Sequence, residues 1–100
     1  MKTKDVLIGM RETIERGWCT GTAAKNAHGF GVAPTDEEAA SWCLAGAAMK
    51  TASSVMDRHR AYEAIRSVLC SNRTLSEIND APGESKESII SYIDRAIGAP

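Results

Sequence analysis

Pro34-Thr35-Asp36-Glu37-Glu38-Ala39-Ala40-Ser41-Trp42-Cys43-Leu44-Ala45-Gly46-Ala47-Ala48-Met49 is the stretch on which the fold turns. Pro34 disfavours helical backbone at Ala33. Thr35-Asp36-Glu37-Glu38 reads as a capping box, with acids where a helix N-terminus is positive. The spacing predicts a helix from there to about Met49. Ala39, Ala40, Cys43, Leu44 and Ala47 form one stripe, with Trp42 and Gly46 beside it. Such small side chains let a neighbouring backbone approach closely, so this helix is expected at the centre of a bundle. Gly46 costs about 1 kcal/mol of helix propensity relative to Ala, and close packing is the reason expected for it.

Upstream, Val6, Leu7, Met10 and Ile14 recur at helical spacing and predict a helix from about Thr3 to Arg16. Thr3 suits its N-cap, and Asp5 is favourable in its first turn. Gly17 suits the left-handed position after a helix, with Trp18 folding back on the last turn. The helical pattern then stops. Asn26-Ala27-His28-Gly29 reads as a turn between two short extended arms, Thr22–Lys25 and Phe30–Val32, a minor β-hairpin anchored on helices by Phe30 and Val32.

Downstream, Ser53 or Ser54 caps a third helix whose apolar face is Ala61, Tyr62, Ile65, Val68 and Leu69, ended by Asn72 and Arg73. Thr74-Leu75-Ser76-Glu77 is a second capping box opening a short helix. Asn79-Asp80-Ala81-Pro82-Gly83 reads as a turn, with Asp80 bonding its own backbone. Ser85 caps a last helix, about Lys86 to Ile97, with Ile89, Ile90, Ile93, Ala96 and Ile97 inward. The expected fold is mainly α: a single bundle of four main helices plus one short helix, with a minor β-hairpin between the first and second main helices.

Composition agrees. In 100 residues, 12 Lys+Arg oppose 13 Asp+Glu, and 43% of residues are hydrophobic. One core fits this length, and disorder and a global pull toward nucleic acid are disfavoured. The run Val6-Leu7-Ile8-Gly9-Met10 is broken by Arg11 and Glu12, too short for a signal sequence or for the roughly 20 residues of a membrane span. Cys19, Cys43 and Cys70 are odd in number and widely spaced, so they make no disulfide framework. A cytoplasmic protein without membrane contact is expected.

Trp42-Cys43-Leu44-Ala45-Gly46-Ala47, Asn79-Asp80-Ala81-Pro82-Gly83 and Asp94-Arg95-Ala96-Ile97 together resemble the landmarks of a domain-of-unknown-function family of short bacterial and bacteriophage proteins. Gly29-x-x-Val32-x-Pro34-Thr35-Asp36 fits that family's turn before its Trp-Cys helix. The likeness runs from about Val6 to Ile97. It marks Trp42, Cys43, Gly46, Asn79, Asp80, Pro82 and Gly83 as structural landmarks. The chain departs from the pattern at Ile78, where the family commonly has Trp, and at His28 and Glu84, where it commonly has an acidic and a basic residue. The resemblance implies a fold and a phage or prophage setting, and no chemistry.

The residues themselves argue little for catalysis. Zinc sites take ligands from a short knuckle, and no pair among Cys19, His28, Cys43, His59 and Cys70 has that spacing. Cys43 and Cys70 fall on or near helical core faces, and Cys19 reads as a partly covered loop thiol. Glu77, Asp80 and Glu84 each have a cap or turn role. No catalytic residue, metal or cofactor is assigned. The expected function is that of a non-enzymatic accessory protein binding another protein, in a phage setting one that modulates a host process or defence system. Trp18, His28 and Phe30 are the candidate contacts, and a homodimer is a second option. The alternative is a nucleic-acid-binding regulator using Arg58, His59, Arg60, Arg66 and Arg73 on the third helix. A weaker one is a small enzyme or nucleotide binder around Asn79 and Asp80.

Overall fold

The computed structural model describes residues 1–99. Helix α1 spans Thr3–Arg16 and buries Val6, Leu7, Met10, Thr13 and Ile14. Burying each of its large aliphatic side chains contributes about 1.5–3 kcal/mol. Strand β1 (Ala24–Asn26) pairs antiparallel with β2 (Ala39–Trp42), and helix α2 (Leu44–Thr51) follows at once. Then come α3 (Val55–Leu69), α4 (Leu75–Asp80) and α5 (Lys86–Gly98). The architecture is four main helices and one short one, with a two-stranded ribbon between the first two main helices, as the sequence predicts.

The central stretch is corrected in detail. Thr35–Glu38 is not a helix start. It makes turns instead: Asp36 N–H donates to Ala33 O, Ala39 N–H to Asp36 O, and Glu38 N–H to Asp36 Oδ1. Ala39–Trp42 is strand, in register Ala24↔Trp42, Lys25↔Ser41 and Asn26↔Ala39. The helix begins only at Leu44, capped by Cys43. The physical reason is tertiary. On the far edge of β2, Trp42 N–H donates to Gly17 O and Cys19 N–H to Trp42 O. The extended backbone seats the Trp42 indole, 1% exposed, in the core with its N–H on Pro34 O. The Arg16 guanidinium and the Lys50 ammonium lie over its ring at 5.1 and 5.5 Å. Pairing and burial together outweigh a local capping preference of about 1 kcal/mol.

The centre of the bundle is therefore α1, which packs against α2, α3, α5 and β2. The stripe of α2 still does what small residues predict. A Cβ on Gly46 would stand 1.9 Å from Ala23 O, so only glycine lets the two backbones meet. Gly17 has the same role and not the left-handed one: its φ is 176°, and a Cβ there would stand 2.1 Å from Ala40 O. Lys2, not Thr3, occupies the N-cap of α1, without a side-chain cap bond.

The expected turn forms, but its arms are divided differently. Gly29 N–H donates to Asn26 O, Asn26 N–H to Phe30 O and Val32 N–H to Ala24 O, while Lys25 faces Gly31. The ladder proper is β1 with β2, so Ala24–Asn26 lies between two extended segments. Val32 packs on the core as expected, whereas Phe30 is 70% exposed and anchors nothing.

Candidate functional site

Ser54, Thr74 and Ser85 cap α3, α4 and α5 through N–H groups of Asp57, Glu77 and Ser88. The box Thr74/Glu77 is reciprocal, and the Thr74 N–H holds the Glu77 carboxyl below its usual range. It fixes a helix only six residues long, whose last turn carries Asn79 inward. Asn79 is fully buried, and every polar atom of its amide is used. Oδ1 accepts from Trp18 Nε1 at 2.7 Å and from Leu44 N at 3.1 Å. Nδ2 donates to Cys19 O at 3.1 Å and to Asp80 Oδ1 at 2.8 Å. The paired segments 17–19 and 42–44 part just where this amide enters. It spans Cys19 O and Leu44 N as a peptide unit of an intervening strand would. Asp80 completes the knot by accepting from Gly21 N at 3.3 Å instead of making an Asx turn on its own backbone. Pro82 and Gly83 shape the turn that follows, Gly83 with φ of 87°.

Trp18 is half-buried against the core, and its indole N–H is committed to Asn79 rather than to the last turn of α1. Cys43 is buried, and its Sγ accepts from Gly46 N at 3.3 Å. Burial pushes the Cys43 thiol pKa up, against the backbone N–H groups of Gly46 and Ala45; Cys19 and Asp80 nearby push it up further. Cys19 is buried as well, with Sγ 3.8 Å from Thr22 O. Cys70, expected near a core face, is exposed in the left-handed cap of α3, at φ of 51°. A cavity of 190 Å³ opens beside Cys43, bounded by Gly21, Thr22, Ala23, Ser76 and Asp80. Among the described residues no group of three or more His, Cys, Asp and Glu side chains is arranged to hold a metal ion.

The hairpin tip is a second organised region. Asn26 Oδ1 accepts from His28 N at 2.9 Å and from Phe30 N at 3.0 Å, and Asn26 O accepts from Gly29 N. Gly29, at φ of 85°, supplies the left-handed residue that this turn requires. His28 and Phe30 both stand in solvent on this fixed loop.

On α3, His59 and Arg66 are seven residues apart and share a face. Arg58 and Arg60 lie about 160° apart around the helix axis. Arg58 turns back to Ser53 O and Ser54 O, and Arg66 pairs with Glu63. His59 and Arg60 are exposed on α3, and Arg73, expected on this helix, stands exposed beyond its end at Leu69. Glu84, a departure from the resembled pattern, accepts from Ser88 Oγ and from Tyr92 Oη, which pushes the Tyr92 pKa up.

Candidate residues thus separate into three places: Asn79, Asp80, Cys43, Gly46 and Trp18 in one knot, His28 and Phe30 at the tip, and the α3 cations apart from both. Cys19 was missing from the landmarks, and only its position one residue after Trp18 could have signalled its role. No curated protein matches the chain, and no solved structure does. A protein-family model does match, over residues 1–99. By that match the chain belongs to the family of unknown function DUF6197.

Proposed function

We propose that this protein is a non-enzymatic accessory protein of the cytosol that acts by binding another protein through the tip of its hairpin. The observation that carries this reading is Phe30, 70% exposed on a loop whose backbone is fixed by Asn26. A phenylalanine in water forgoes most of the stabilisation it gains by burial, and a large aromatic buries about 150–250 Å². Held on a rigid turn, it loses little freedom on binding. His28 beside it adds a polar contact at the rim of the same tip. Three free thiols suit a reducing compartment. The phage or prophage setting rests on family resemblance alone.

The test compares wild type with Phe30→Ala, both immobilised and exposed to nuclease-treated lysate of the source cells. The expected result is a partner retained by wild type and lost by the variant, at equal unfolding midpoints. Equal retention by both would overturn the reading. Retention abolished by nuclease, with steep salt dependence on DNA, would transfer the function to His59, Arg60 and Arg73.

A further inference from the structure

We propose that Cys19 and Cys43 are a redox-sensitive pair that closes to an intramolecular disulfide by exchange with a small-molecule disulfide such as oxidised glutathione, and that closure withdraws the sulfur capping α2. The argument starts from register. Trp18 and Trp42 face each other in a parallel bridge, held by Trp42 N–H to Gly17 O and Cys19 N–H to Trp42 O. Cys19 and Cys43 are the next residues on those two segments. The Cys19 N–H on Trp42 O, the carbonyl bonded to Cys43 N, holds the two residues one hydrogen bond apart before the segments part, and a disulfide needs Cα atoms about 4.4–6.8 Å apart.

The two residues also flank one short piece of chain. Cys19 Sγ lies against Thr22 O, while Cys43 N–H donates to Ala23 O. The 190 Å³ cavity beside Cys43 gives a small reagent its approach.

In the exchange, one protein thiol loses its proton and attacks the reagent's S–S bond. One reagent thiolate leaves and takes up a proton. The second protein thiol then loses its proton, attacks the mixed disulfide and expels the other reagent thiol. Two S–H bonds of the protein become one S–S bond, and two electrons reduce the reagent to two thiols. Burial, which pushes the Cys43 pKa up, keeps that thiol protonated near neutrality, so its attack quickens as pH rises. Once the sulfur turns toward Cys19 it no longer accepts from Gly46 N, and α2 loses its cap.

The test uses the full chain carrying Cys70→Ser, which removes the exposed thiol. After treatment with oxidised glutathione and tryptic digestion without reductant, peptide Gly17–Lys25 is expected joined to Asn26–Lys50. Adding Cys43→Ser, which keeps a capping oxygen, is expected to leave Cys19 carrying one glutathione. Free thiols in the folded Cys70→Ser protein, or glutathione on both cysteines without a link, would overturn the pairing. Hydrogen exchange at Gly46 N–H is expected to rise about tenfold on closure. An unchanged rate in the linked protein would overturn the uncapping.

Discussion

Two asparagines perform the same chemistry in two different settings. Asn26 and Asn79 each use one side-chain oxygen to accept two N–H groups. Asn26 takes both from its own loop, two and four residues ahead. Asn79 takes them from Trp18 and Leu44, 61 and 35 residues away, and returns a donor to Cys19. If the tip loses its amide, water replaces it. If the knot loses its amide, two donors and an acceptor remain in a dry interior. The comparison teaches that hydrogen-bond count says little about consequence; burial and sequence separation decide it.

Asn79→Ala should have the largest effect, about 3 kcal/mol in urea unfolding, from several stranded buried groups. A loss under about 1 kcal/mol would break the contrast, because water would then be reaching the knot. Gly46→Ala comes next at about 2 kcal/mol. Its Cβ meets Ala23 O, backbone that cannot rotate away, so any gain in helix propensity is overwhelmed. A neutral result would show that the loop before β1 yields.

Glu77→Gln sharpens the comparison through pH. The folded carboxyl lies below its ordinary value, so its contribution is present above the unfolded pKa and disappears as pH falls through the folded one. The variant should be less stable at neutrality and should show a shallower acid limb of midpoint against pH. Parallel limbs would remove this carboxylate from the acid response. Asn26→Ala should be the mildest in stability, about 0.5 kcal/mol, while raising hydrogen exchange at His28 and Phe30 N–H. If it destabilised the chain as much as Asn79→Ala, the tip would belong to the core.

Helices with their own punctuation were legible. Ser54, Thr74 with Glu77, and Ser85 announce α3, α4 and α5, because a cap is a local device and needs nothing from afar. Ala39-Ala40-Ser41-Trp42 was not legible as strand. It contains no β-branched residue, and its conformation is imposed by Gly17 and Ala24, both remote in sequence. The same remoteness hid the Asn79 knot, since an Asn-Asp-x-Pro-Gly run describes a turn equally well. Gly17 and Gly46 both stand out in the sequence, and close backbone approach, expected for Gly46, holds for both. The exposure of Phe30 could not be read because a lone aromatic between glycines suits an anchor and a tip alike.

The central position of α1 carries a consequence for biosynthesis. Its apolar face is completed by α5, which is synthesised after α1, α2, α3 and α4. While residues 17–85 are being made, Val6, Leu7, Met10 and Ile14 have no final cover from that side. At about 5–20 residues per second the nascent chain spends several seconds in this state. The nascent protein is thus expected to be a client of ribosome-associated holdases until α5 docks.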